Sequence, residues 1–573
     1  MKCNFRIIEA YYPGGFRINR VLEIFQWKGG KSFLWQGICI AFSVLYIAGL
    51  HLSNDGLWFQ GDSPRHAANG LFWWDFLTSF SLNPLQFSLS YYARYPVIHP
   101  TGYPPLFYLI EGAVFFIFGA SPFIAKGLVL AFALLAGFYA AAWLRRWIAK
   151  EAGWGGALLI LQPEVIRWAN AIMLNVPAMA LGLATIYHAR RWIESPSSRH
   201  IYPTAIYALL GILTYVHNIV MLFVVLALII FKKQWMILWD RRVLIVSFIG
   251  MIVLLPWAIV IFKWAPVQLT WVATPIGILE KMPTWTYYLK QMKTLCTIPL
   301  VILAILGVAV GLFDSRWRKE VKWAVIWFIV GYFFLSYIMV REGRYALHLI
   351  PPVVFLCCIG LFSLMSWNAV CVKKVFSRLI FSGMAVLVLF HFSAAAQVKV
   401  PYVKGFKDVV TFLDKMAPEK IIFYDGIYDG VFTFYLRSGD PKFKKGVVLG
   451  NKLLYASSIF RERKLIEKVT SVEDVVEVFR NKCGSEWLVI EGQLTPDKVT
   501  AAKFLRQALS RPEFKFVKSF PVITPIGATQ LDVYRFLAPF ENPSELEIPF
   551  PSLGKGTSFR IKPIEKSSQG FKY

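Results

Sequence analysis

Long apolar runs separated by short polar stretches recur along the first 400 residues, at about 34–52, 123–144, 155–169, 176–189, 202–216, 218–231, 243–262, 297–313, 321–340, 345–366 and 379–396. A helix crossing a bilayer core needs roughly 20 apolar residues, and somewhat shorter runs are tolerated, so this pattern predicts eleven transmembrane helices. One more run, LFYLIEGAVFFIFG at 106–119, follows Pro104-Pro105 and contains Glu111. It is too short to cross and is expected to lie as an interfacial helix with Glu111 on its wet face.

Basic clusters separate the runs: Arg145/Arg146/Lys150, Arg190/Arg191/Arg199, Lys232/Lys233/Arg241/Arg242, Arg316/Arg318/Lys319/Lys322 and Lys373/Lys374/Arg378. If residues 1–33, a basic tail, are cytoplasmic and 106–119 does not cross, every cluster lands on the cytoplasmic side. Counting 106–119 as a span would turn every later cluster outward. The tail has no early apolar core and no small-residue cleavage site, so it does not read as a signal peptide.

After Ala396 the pattern changes. Short β-rich runs (KIIFYD 420–425, GVVLG 446–450, EWLVIEG 486–492, FKFVKSFPV 514–522 and QLDVYRFL 530–537) alternate with amphipathic helical stretches. A small extracytoplasmic α/β domain over 397–540 is expected, its last strands antiparallel, followed by a tail over 541–573. Asp425-Gly426 and Asp429-Gly430 read as a pair of turns.

Composition agrees with a polytopic α-helical membrane protein: 57% of the 573 residues are hydrophobic and 17% charged, with mean hydropathy +0.52. The net charge of +27 would point a soluble protein toward nucleic acid. Here it records topology, and no nucleic-acid partner is expected. The seven cysteines are scattered without a CxxC, which implies neither a disulfide framework nor a zinc site.

With this topology the polar residues that interrupt the apolar pattern gather on the outer face. The stretch 53–105 reads as a long outer loop carrying Asp62, Arg65, His66, Asp75, Arg94 and His99, the first part of an outer catalytic loop over 53–122. Glu164, Arg167, Asn170 and Asn175, then His217-Asn218, then Arg341, Arg344, Tyr345 and His348 follow on the same side. Such a site at the membrane boundary suits a substrate with a lipid tail and a charged head. Arg341 and Arg344 suit a phosphate, because guanidinium forks bind its oxygens and stay ionised at low dielectric. Paired arginines at a helix end also serve as interfacial anchors, and His217-Asn218 also reads as a simple turn between helices. Trp271, Trp285, Tyr287 and Tyr288 suit either sugar stacking or the membrane interface.

At these residues the chain resembles the GT-C superfamily of integral-membrane glycosyltransferases, in particular bacterial relatives of dolichyl-phosphate-mannose protein mannosyltransferases and of the aminoarabinose transferase that modifies lipid A. The likeness rests on Gly61-Asp62-Ser63-Pro64-Arg65-His66, on Thr101-Gly102-Tyr103-Pro104-Pro105-Leu106-Phe107-Tyr108 and on Arg344-Tyr345-Ala346-Leu347-His348-Leu349-Ile350-Pro351. It covers some 400 residues, together with the order of spans and the C-terminal outer domain.

The resemblance implies transfer of a hexosyl or pentosyl group from a polyprenyl-phosphate donor to a lipid, glycan or protein acceptor on the non-cytoplasmic face, usually with inversion. The first-loop carboxylate of such enzymes acts as general base or helps hold a metal, a role that carries over to Asp62. Arg65, His66, Tyr103, Arg341, Arg344, Tyr345 and His348 are the expected substrate and donor-phosphate contacts, with Glu164, Asn175 and His217 behind them. Many relatives have a second acid where this chain has Ser63, and another where it has Asn175, which disfavours a divalent metal. Two other functions fit the many spans: a transporter or flippase of lipid-linked saccharides, and an inactive glycolipid-binding relative. Transporters usually place ionisable residues at the midplane and show internal repeats, and neither feature stands out here.

Overall fold

A computed structural model of the chain describes residues 31–51, 62–264 apart from 100, 285–338, 341–367, 373–457 apart from 419 and 441, 465–492, 499–540, 546–549 and 558–561. Trp271 lies outside these residues. All eleven apolar runs are helical. Among the described residues five helices are long and apolar enough to cross a membrane: Ser32–His51, Pro122–Trp147, Arg241–Lys263, Ser315–Tyr337 and Gly343–Leu364, the last of them beginning in a 3-10 turn. A sixth candidate is the pair Tyr287–Leu295 and Ile298–Phe313, bent by 120°. The chain is an integral membrane protein.

Three runs depart from the simple pattern. The run 155–169 is two short buried helices, Gly155–Ile160 and Pro163–Ala169, because Pro163 lacks an N–H and starts a new helix. The runs at 202–216 and 218–231 are the helices Ile201–Thr214 and Val220–Phe231, joined by the 3-10 turn Val216–Ile219. Here His217-Asn218 forms a turn, but not a bland one: Asn218 is buried with neither side-chain amide atom hydrogen-bonded.

The stretch read as an outer loop is largely helical. Asp62–Thr78 and Pro84–Arg94 are helices, the second opened by Pro84 and by the Asn83 side chain, whose oxygen accepts from the Gln86 N–H. The helix Leu106–Phe118 crosses Asp62–Thr78 closely: a Cβ on Gly112 would stand 2.7 Å from the Gly70 carbonyl oxygen. Glu111 therefore faces this crossing and is fully buried, correcting its expected place on a wet face. Neither of its carboxyl oxygens has a hydrogen-bond partner, and burial pushes its pKa well above the ordinary glutamate range.

The C-terminal elements form a five-stranded sheet, β1 Ile421–Asp425, β2 Gly446–Leu449, β5 Trp487–Glu491, β6 Phe514–Thr524 and β7 Gly527–Phe536, in the order β2-β1-β5-β7-β6. A small hairpin, β3 Tyr455–Ser457 with β4 Leu465–Glu467, stands beside it. β1 runs parallel to β2 and β5 (Ile422 opposite Trp487), while β7 runs antiparallel to β5 and β6, as expected of the last strands. Alternation sends Phe423, Leu488 and Ile490 to one face and Ile422, Tyr424 and Val489 to the other. The second face shares one apolar core with Ala67, Leu71, Phe72, Phe87 and Tyr91 from the helices Asp62–Thr78 and Pro84–Arg94. Asp429-Gly430 is not a turn: Asp429 opens the buried helix Asp429–Ser438, which packs on Asp62–Thr78.

Candidate active site

Asp62 stands in the first turn of its helix, where the unsatisfied N–H groups favour a carboxylate. Pro64 and Ser63 fix this start, and the Ser63 hydroxyl accepts a hydrogen bond from the Ile172 N–H at 3.1 Å. Far along the sequence, Glu342 precedes the 3-10 turn Gly343–Leu349 that carries Arg344, Tyr345 and His348. Arg344 Nη2 donates to Asp62 Oδ2 at 3.0 Å, joining residues 282 positions apart.

Arg344 is buried, whereas a third of the Asp62 side chain (34%) stays accessible. The guanidinium carbon lies 5.6 Å from the Trp168 ring centre and 5.4 Å from that of Tyr345. Its Nε is 2.6 Å from Glu342 Oε2, but is not aligned for a hydrogen bond. Nη1 donates to the Met173 sulfur at 3.9 Å. The cation thus retains donors that no strong acceptor uses.

On the other side of Asp62, one turn along the helix, His66 Nδ1 and the Tyr108 hydroxyl share a 2.7 Å hydrogen bond. The Tyr103 ring meets His66 edge-on at 4.8 Å. Burial lowers the His66 pKa to about 4 against the opposing pull of Asp62, so the imidazole is neutral near pH 7. Burial pulls the Asp62 pKa up, but Arg344, His66 and Arg65 together outweigh it, and the carboxyl ionises below its usual range. Arg65, three residues from Asp62, pairs with Asp429 at 3.7 Å.

The remaining expected residues divide. The His217 ring stacks on Tyr345 at 4.9 Å and 17°. Glu164 accepts from Trp168 Nε1 at 2.5 Å and Arg167 Nη1 at 2.8 Å and lies against Gly343, where a Cβ would be 3.1 Å from it. Asn175 is buried in the first turn of Asn175–Glu194, and His348 is buried in the Arg344 turn. Arg341, expected to share the phosphate, turns instead to the Ser336 carbonyl at 3.2 Å. Of the aromatic residues at 285–288, Tyr288 is fully buried and the Trp285 ring meets Phe333. Glu342, Trp168, Tyr108 and Asp429 were not singled out as site residues by the sequence. The helical spacings 62/66 and 164/168 are the signals that point to part of this set.

Among the described residues no group of three or more His, Cys, Asp or Glu side chains could hold a metal ion. Around Asp62 the donor set does not fit a divalent cation: a guanidinium occupies the carboxylate and Ser63 Oγ is turned to a backbone N–H.

No family model and no curated protein matches the chain. Solved structures do. ArnT from Cupriavidus metallidurans in the apo state aligns over 88% of this chain and 98% of its own, at 13% identity and TM-score 0.59. ArnT bound to undecaprenyl phosphate aligns over 87% and 98%, at 13% and 0.57. The chain has the GT-C fold. The Archaeoglobus fulgidus oligosaccharyltransferase in complex with Zn and sulfate extends this likeness in fold, covering 86% of this chain and 72% of its own at 12% identity and TM-score 0.51.

Proposed function

We propose that this GT-C protein transfers a sugar from a polyprenyl-phosphate donor to a hydroxyl of a lipid, glycan or protein acceptor, with Asp62 as general base and Arg344 as the donor-phosphate ligand. The observation that carries the reading is the 3.0 Å pair between an accessible carboxylate and a buried, under-satisfied guanidinium. Undecaprenyl phosphate bound to ArnT, a neighbour in fold, supports the donor class. The pattern of basic clusters supports eleven spans with the N-terminus cytoplasmic and the site and the C-terminal α/β domain outside.

Chemically, a donor phosphate is a stronger partner for Arg344 than a single carboxylate oxygen, because it offers the fork two oxygens. Its arrival frees Asp62. The acceptor oxygen then attacks the anomeric carbon from the face opposite the phosphate, its proton passes to Asp62, and the C–O bond to phosphate breaks with both electrons leaving on oxygen. The configuration inverts. Arg344 stabilises the departing dianion in a low-dielectric setting. Neutral His66, held by Tyr108, and Tyr345, backed by His217, are positioned to hydrogen-bond the sugar or phosphate. No step requires a metal.

The test is purified protein in liposomes given polyprenyl-phosphate sugars, assayed for donor cleavage and for movement of the intact lipid. Transfer with cleavage is expected. Movement without cleavage would replace this reading with a flippase, and binding alone with an inactive relative.

A further inference from the structure

The Asp62 helix packs along the C-terminal layer, and its first turn meets the helix Asp429–Ser438 at a glycine. A Cβ on Gly430 would stand 3.0 Å from Pro64 Cγ, a tight contact, so the glycine lets the helix Asp429–Ser438 come near the start of the Asp62 helix without crowding. That approach places Asp429 beside Arg65. Asp429 Oδ1 accepts from the Gly430 N–H at 2.7 Å and lies 3.7 Å from Arg65 Nη2, while Oδ2 accepts from Asn451 Nδ2 at 3.2 Å. Asp429 is therefore pinned by its own backbone and by a second residue of the C-terminal layer. Arg65 is less constrained: its Nε is buried and has no hydrogen-bond partner. Asp62 and Arg65, three apart on one helix, are neighbours on the same face.

We infer that Asp429 is a positioning residue for the Asp62 carboxylate, acting through Arg65, so that the C-terminal layer forms part of the active site. The inference rests on the transferase reading. A guanidinium shared with a fixed carboxylate cannot close fully on Asp62. Without Asp429, Arg65 is free to pair with Asp62, occupying the lone pairs that must take the acceptor proton and making the base weaker. Asp62 also feels Arg344 and Tyr345 from the 343–349 turn, His66 on its own helix with Tyr108 behind it, and His99 and Tyr103 from the segment before Leu106–Phe118. Of these groups Arg344 leaves for the donor phosphate in the proposed reaction. Arg65 then remains as the principal cation on the base.

The full-length protein in lipid, as wild type, Asp429→Asn, Asp429→Glu, Arg65→Gln and the double variant, is compared for kcat, KM for the polyprenyl-phosphate sugar and pH profile. Asp429→Asn is expected to lower kcat about tenfold and move the acid limb down by about one pH unit with KM for the donor unchanged. Asp429→Glu restores most of the rate, and the double variant is no slower than Arg65→Gln, because both substitutions act on one interaction. Independent, additive losses, or a kcat loss with an unmoved acid limb, would overturn the inference. If wild type turns over no donor, the transferase reading fails by itself. The inference is then decided by the infrared carboxylate band of Asp62, taken as the difference between protein with Asp62 and with Asp62→Asn. A midpoint lowered by Asp429→Asn upholds it, and an unmoved midpoint overturns it.

Discussion

Two buried arginines join distant parts of this chain, and they are built differently. Arg437, on the helix Asp429–Ser438, has an oxygen partner on every nitrogen: it donates to Asp75, to the Tyr91 hydroxyl at 3.1 Å and to the Asp440 carbonyl at 2.9 Å, with its face 4.2 Å from the Phe443 ring centre. Arg344 has one well-aligned carboxylate, a misaligned second one and a sulfur. Both are buried, so burial does not separate them. What separates them is spare hydrogen-bonding capacity next to an accessible partner. Arg437 has all three nitrogens engaged and fastens the helices Asp62–Thr78 and Pro84–Arg94 to the C-terminal layer, whereas Arg344 keeps a buried nitrogen for a ligand.

Substitutions should divide along that line. Asp62→Asn should have the largest effect on function, cutting transfer by a factor of about 100 to 10,000 while the protein stays folded, since it removes the proton acceptor and little packing. Arg344→Gln should follow, at about 100- to 1,000-fold in kcat with weakened binding of undecaprenyl phosphate, because it removes a cation that meets the developing charge. Arg437→Met should do the reverse. It strands Asp75 and should cost about 3–5 kcal/mol of stability, seen as a lower Tm, with the rate per folded molecule kept. If Arg437→Met abolished transfer without lowering Tm, or Arg344→Gln unfolded the protein, the contrast between the two arginines would be wrong.

A pH profile sharpens it further. Because cations hold the Asp62 pKa below its usual range, the base stays ionised as pH falls through the ordinary aspartate window. His66 and His99, lowered by burial to about 4, stay neutral down to about pH 5. The kcat/KM for transfer, which reports the free enzyme with Arg344 still on Asp62, should thus be level from about pH 8 to about pH 5 and fall only below that, as Asp62 protonates. An inflection near the usual histidine value would show that a histidine, not Asp62, carries the proton. The smallest effect is expected for Glu111→Gln: its carboxyl is buried without a partner and held neutral, so the amide should change Tm little.

How far the sequence foretold this arrangement follows from the range of the interactions. Local patterns were legible: apolar runs became helices, and the β-rich runs at 420–425, 446–450 and 486–492 became strands at nearly those limits. Asp62, Arg344 and Tyr345 could be chosen because charge or motif set them apart. The helices Asp62–Thr78 and Pro84–Arg94 were less legible, since their apolar positions are buried against the sheet and their polar ones look like loop chemistry. Pro84 and Asn83 carried the signal of a helix start. Glu111 was misplaced because its partner surface, the Gly70–Gly112 crossing, lies on another helix. Asp429 looked like turn chemistry because Asp-Gly usually is; only the tertiary approach to Pro64 makes it a helix start at the site.

The most direct test measures cleavage of a labelled polyprenyl-phosphate sugar and binding of undecaprenyl phosphate side by side in wild type, Asp62→Asn and Arg344→Gln. The account predicts that Asp62→Asn binds the lipid phosphate as wild type does but no longer transfers sugar, and that Arg344→Gln loses both. Undiminished transfer by Asp62→Asn would contradict it.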